Sequence, residues 1–173
     1  MTDDGHRTRG LQGNAGRILL AGMVVAALDF LYITVLWVLL KYAVTVERLA
    51  QVIATGLLGK AAYEGRAGTA ALGVALHLMV ALTWTTIFFV LSRRIPPVSR
   101  LIETTAGRVK AGLLFGPVIW LIMDLVVLPL SRARPTPVSS PHFYINLLQH
   151  AVMIGVPMAL LLGPKSHENT KTR

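Results

Sequence analysis

Apolar residues fill four long blocks of this chain, 18–40, 69–91, 111–130 and 143–163, and the intervals between them are polar, basic or broken by glycine and proline. A hydrocarbon core about 30 Å thick needs roughly 20 apolar residues in helical form, because lipid offers backbone groups no hydrogen-bond partner. Each block therefore predicts one transmembrane helix. Polar residues bracket them: Arg17 and Lys41 around the first, Ser92, Arg93 and Arg94 after the second, Arg108 and Lys110 before the third, and Pro164 with Lys165 after the fourth. Arg7, Arg9 and Arg17 precede the first block as they would a signal peptide. Its length exceeds the roughly 7–15 residues of an ordinary signal-peptide core, and Lys41-Tyr42-Ala43-Val44 is no small-residue cleavage site, so an uncleaved signal anchor is expected.

The first interval has a pattern of its own. Val46, Leu49, Ala50, Ile53 and Leu57 recur at helical spacing, with Glu47, Arg48 and Gln51 on the opposite side. Thr45 is placed to cap such a helix, and Glu47 stands near its positive end. The spacing predicts a short amphipathic helix over 45–58, lying on the outer membrane surface as a connector or as a lid. Gly56 and Gly59 loosen the chain after it. Segments 1–16 and 164–173 lack apolar periodicity and are expected to be disordered tails around a transmembrane domain spanning 17–163. Pro96-Pro97 predicts an extended exit from the second span, and Pro135, Pro137 and Pro141 a stiff irregular connector over 131–142.

Composition sharpens this picture. With 54% hydrophobic and 14% charged residues, the chain departs from soluble domains, which run at roughly 45–50% and about 25%. The absence of cysteine excludes disulfides, thiolate metal sites, iron–sulfur clusters, covalent c-type haem and a cysteine nucleophile. Lys and Arg outnumber Asp and Glu 17 to 8, a balance that suggests nucleic acid in a soluble protein. Here the bases cap the apolar blocks. Arg7, Arg9, Arg17, Arg93, Arg94, Arg100, Arg108, Lys110, Lys165, Lys171 and Arg173, or 11 of the 17, fall on the side shared by both termini. Lys41, Arg48, Lys60, Arg66, Arg132 and Arg134 fall on the other. The positive-inside rule then places both termini in the cytoplasm, and no nucleic-acid partner is needed. The expected partners are the lipid bilayer and its anionic headgroups, which Arg93, Arg94 and Arg100 attract at about 1 kcal/mol each.

Small residues at i and i+4 mark faces where helices in lipid approach closely. Gly22 with Ala26, Gly73 with His77 and Ala81, Gly112 with Gly116, and Gly155 with Ala159 supply one such face per block. Pro117, Pro129 and Pro157 are expected to kink their helices, and Trp37, Trp84 and Trp120 to act as lipid anchors or packing residues. The expected fold is an all-α polytopic membrane protein, an antiparallel four-transmembrane-helix bundle.

Each block carries a single ionisable side chain: Asp29, His77, Asp124 and His150. At about 1.5 Å per residue, Asp29 lies roughly 16 Å into its block, with His77, Asp124 and His150 about 9–12 Å below the outer face. An Asp at mid-membrane costs about 2.5–3.5 kcal/mol, whereas the Leu, Ile, Val and Phe residues of the first block together contribute roughly −4 to −8. Asp29 is tolerated but needs a partner. It shares a face with Gly22, Val25, Ala26 and Tyr32, and His150 shares one with Asn146. An inward-facing polar cluster of Asp29, His77, Asp124, His150 and Asn146 is the expectation. Three readings are open. The groups are hydrogen-bonded pins between helices, or they bind or relay a cation or proton, with His77, His150, Asp124 and Asp29 as candidate ligands for a divalent metal. The third reading holds a b-type haem between His77 and His150. His6, His142 and His167, outside the blocks, are expected to be solvated. The sequence contains no GxSxG, HExxH, phosphate-cradling glycine loop or serine–base pair, so no enzyme class is indicated.

Leu28-Asp29-Phe30-Leu31-Tyr32, the run Gln51 to Gly59, Gly73 with His77, Val126-Val127-Leu128-Pro129-Leu130-Ser131, and His150 with Gly155-Val156-Pro157 together resemble a family of bacterial four-span inner-membrane proteins of uncharacterised activity. The likeness covers roughly residues 21–162 and implies location and architecture. It leaves two functions in play. One is a polar-core protein that binds or conducts a cation or proton. The other is a structural or accessory subunit that pairs with another membrane protein or with a second copy.

Overall fold

A computed structural model describes residues 3–40 and 45–164, with side chains from Gly13 onward. Lys41, the tail 165–173 with His167, and the side chain of His6 lie outside the described residues. The protein is all-helical, and four of its helices are long and apolar enough to cross a membrane: Gly13–Leu40, Arg66–Arg94, Thr105–Leu130 and Pro141–Leu162. In chain order, α1 is Asp3–Thr34, prolonged by a π-helical turn Val35–Leu40. Helix α2 is Val46–Leu58, followed by a 3₁₀ turn Gly59–Tyr63, and α3 is Arg66–Arg94. A short α4, Pro96–Leu101, leads to α5 (Thr105–Leu130) and α6 (Pro141–Leu162).

Helix ends follow local chemistry, which is why they overrun the apolar blocks. The Thr104 hydroxyl accepts the Gly107 N–H at 3.0 Å, and the Ser140 hydroxyl accepts from His142 N. The Thr45 hydroxyl accepts the Arg48 N–H at 3.1 Å and starts α2 where the pattern placed it. Two expectations change here. The stretch before Arg17 continues α1 back to Asp3, because extending an existing helix avoids the cost of nucleation and no proline interrupts it. Pro96 and Pro97 occupy the first turn of α4, where a missing N–H costs nothing, and only Ile95 is extended.

The small-residue faces become helix contacts. A Cβ on Gly112 would lie 2.5 Å from the Gly155 carbonyl oxygen and from Val156 Cα. Gly116 meets the backbone of His150 and Ala151 in the same way, so α5 and α6 run backbone against backbone. Gly22 packs under Leu82, joining α1 to α3. Gly73 instead receives α2, at the Ala50 carbonyl and Ala54 N. Helix α2 is thus anchored on α3, with Leu49, Ala50, Gln51, Ala54 and Thr55 buried. Gln51 is on its buried side, contrary to the periodic reading, because its amide donates to the Arg66 carbonyl at 3.2 Å.

Between the long helices lies a core of Ala21, Val25, Phe88, Ile119, Ile154, Met158 and Leu162. Leu31, Leu114, Leu130 and Leu148 are more than half exposed. An apolar exterior over a small-residue interior suits lipid and opposes water. Prolines 129 and 157 lack an N–H, and the backbone just before each adopts π-helical turns, Met123–Val127 and His150–Gly155. Those turns carry Asp124 and His150.

Candidate functional site: a polar-centred cavity between four helices

All four membrane-length helices contribute to one partly open cavity of about 200 Å³. Asp29 enters from α1, His77 from α3, Trp120 from α5, and Asn146, Gln149 and His150 from α6. Most of the remaining wall is apolar, including Val25, Ile33, Val80, Trp84, Ile154 and Met158.

Asp29 is the centre of the polar group. Its Oδ2 stands 3.8 Å from His77 Nε2, and its Oδ1 accepts a hydrogen bond from the Gln149 amide at 3.1 Å. His77 Nε2 is also 3.0 Å from the Ala26 carbonyl oxygen. A carbonyl only accepts, so Nε2 carries the proton and Nδ1 is left with the lone pair. On α6, His150 Nδ1 is 2.9 Å from the Asn146 carbonyl one turn earlier, which makes Nδ1 its donor and leaves Nε2 as an acceptor. The His150 ring packs on Trp120 with centroids 4.9 Å apart. Both side chains of the Asp29–His77 pair keep a small exposed fraction, 18% and 16%, and both line the cavity.

Asp29, His77, His150 and Asn146 line this one cavity, while Asp124 does not. It is fully buried but forms no part of the cavity wall. Its Oδ1 accepts the Thr136 backbone N–H at 2.9 Å, because the segment after α5 folds back and supplies a main-chain donor that helix spacing cannot reveal. Its other oxygen has no hydrogen-bond partner among the described residues. Gln149 and Trp120 are the additions. Gln149 reaches Asp29 from the neighbouring position to His150, and Trp120 is buried, in the packing role that was one of its two expected ones. His142 also departs from expectation: it sits in the first turn of α6, half-buried, with its ring 5.3 Å from that of Trp37.

This arrangement bears on the cofactor readings. Among the described residues no three His, Asp or Glu side chains are placed to hold a metal ion. A zinc site uses four ligands, or three plus water, so Asp29 and His77 alone fall short and Asp124 cannot join them. Arg93 and Arg94, at the end of α3, and Arg100, in the last turn of α4, are exposed, with the Arg93 guanidinium 5.1 Å from the Phe89 ring centroid. Comparison with family models, with curated proteins and with solved structures finds no match to this chain.

Proposed function

We propose that the chain is a multi-pass protein of the bacterial cytoplasmic membrane, threaded as an antiparallel four-span bundle with both termini in the cytoplasm, and that its cavity binds a small organic ammonium ion. The reading is carried by Asp29, a carboxylate that faces, beside His77, a cavity walled by all four long helices. A charge placed at that depth costs about 2.5–3.5 kcal/mol, and such residues mark ligand, ion or proton sites in membrane proteins.

The ligand class follows from the donors. Among the described residues no three His, Asp or Glu side chains form a coordination set for a divalent metal. An ammonium ion needs only one opposed charge, acceptors for its N–H groups, and apolar or aromatic walls for its carbon. Asp29 supplies the charge, His150 Nε2 an acceptor, and Trp84 and Trp120 the aromatic faces. A second reading rests on the same bonds. Gln149 to Asp29 ties α6 to α1, and His77 to Ala26 ties α3 to α1, each worth about 0.6 kcal/mol as an interhelical pin in a structural or accessory subunit.

The test is titration of nanodisc-held protein with benzylammonium chloride, followed by tryptophan fluorescence. Saturable binding that disappears in Asp29→Asn and persists in Arg94→Ala supports the ammonium site. Binding unchanged by Asp29→Asn refutes it. No saturable binding by the native protein, with Asp29→Asn altering only stability, leaves the pins.

A further inference from the structure

At the end of the molecule away from residues 17 and 163, which lie together, a groove of about 470 Å³ opens between the 3₁₀ turn and the segment that follows α5. Lys60, Arg132 and Arg134 line it with Tyr63, so cations from two distant stretches of sequence share one depression. Their meeting is built into the backbone. Arg132 N–H donates to the Gly56 carbonyl at 3.0 Å, which ties the second connector to the end of α2. Gly59, at φ +60°, turns the chain there, and a Cβ on it would stand 3.5 Å from the Arg132 stem. Tyr63 is braced from behind by the Arg48 guanidinium, 3.4 Å from the ring centroid.

Two further observations give the groove a sign. All three cations are exposed, and none lies within 4 Å of a carboxylate among the described residues. They also gather on the side that holds only 6 of the 17 basic residues, where cations are otherwise sparse. Like charges held together without counter-charge repel unless an anion joins them. Guanidinium forks and an ammonium are the side-chain groups that bind phosphate, the forks through paired N–H donors and the ammonium as a point charge. Val52 lines the same groove and is exposed, with Leu57 exposed further along α2, which gives a phosphate ester apolar surface beside its charge.

We infer that this groove binds a phosphate-bearing anion, presented either by an anionic lipid headgroup or by soluble phosphate. The inference is independent of the cavity at Asp29. It is tested by calorimetric titration of detergent-purified full-length protein with dihexanoyl phosphatidylglycerol, dihexanoyl phosphatidylcholine and sodium phosphate at matched ionic strength. Saturable binding of phosphatidylglycerol above phosphatidylcholine is expected. Arg132→Ala, Arg134→Ala and Lys60→Ala each weaken it about fivefold, and the triple variant about a hundredfold. Lys110→Ala, an exposed cation outside the groove, leaves it unchanged. Arg134→Lys, which keeps the charge and removes the fork, is expected to bind between native and Arg134→Ala, with folding of every variant checked by circular dichroism. Phosphate binding as tightly as phosphatidylglycerol assigns the groove to the soluble anion. Binding of neither, or unweakened binding by a folded triple variant, overturns the inference.

Discussion

Replacing Gly112 with alanine asks directly whether α5 and α6 owe their association to backbone approach. The added Cβ would stand 2.5 Å from the Gly155 oxygen and Val156 Cα, which is 0.9 Å short of the 3.4 Å at which ordinary contact begins. Neither obstacle is a flexible side chain. The helices cannot pivot around the intrusion either, because Gly116 and Gly155 hold them equally close on the same face. Overpacking of this kind costs about 1–3 kcal/mol, and alanine recovers up to about 1 kcal/mol through helix propensity. The net expectation is a loss of about 1–2 kcal/mol. Gly16→Ala is the matched control: its Cβ meets nothing within 4 Å, so it should gain stability or leave it unchanged. Unfolding by sodium dodecyl sulfate in mixed micelles, followed by tryptophan fluorescence, measures both. Gly112→Ala as stable as the native protein, or Gly16→Ala equally destabilised, would refute backbone contact as the source of the pairing.

Arg108→Ala should cost about 2–3 kcal/mol in the same titration, because the buried guanidinium donates to the Ile102 carbonyl at 2.9 Å and to the Pro164 carbonyl; an unchanged midpoint would show that water replaces it freely. Asp124→Ala should speed amide exchange at Thr136 about tenfold, whereas Asp124→Asn, which keeps the acceptor oxygen, should leave it near native. Equal protection in all three proteins would separate the loop from the carboxylate.

Much of the architecture is legible from one-dimensional pattern, and the reasons are physical. Lipid forces every spanning backbone to be helical, so hydropathy alone locates the four long helices. The glycines at 112, 116 and 155 are equally readable, since close approach in lipid has few other sources. Asp29 and His77 announce themselves by their cost. What escaped has a common cause in contacts between segments far apart in sequence. Asp124 accepts from a main-chain N–H twelve residues on, and Gln51 donates to the carbonyl of Arg66. Gln149 is neutral, so its bond to Asp29 left no signature in charge. The prolines at 129 and 157 suggested bends, but the π-helical turns before them shift the register, and a wheel drawn at 100° per residue cannot then place Asp124 or His150.

The last helix ends in a clasp made by residues from much earlier in the chain. Arg17 donates to the Leu161 and Gly163 carbonyls, and Arg108 reaches the Pro164 carbonyl. The Arg17 acceptors lie 144 and 146 residues beyond it in the chain. The guanidinium at position 17 therefore has no carbonyl to hold until α6 has been made. The clasp is a late joint: it ties the first long helix to the fourth only after every helix between them exists.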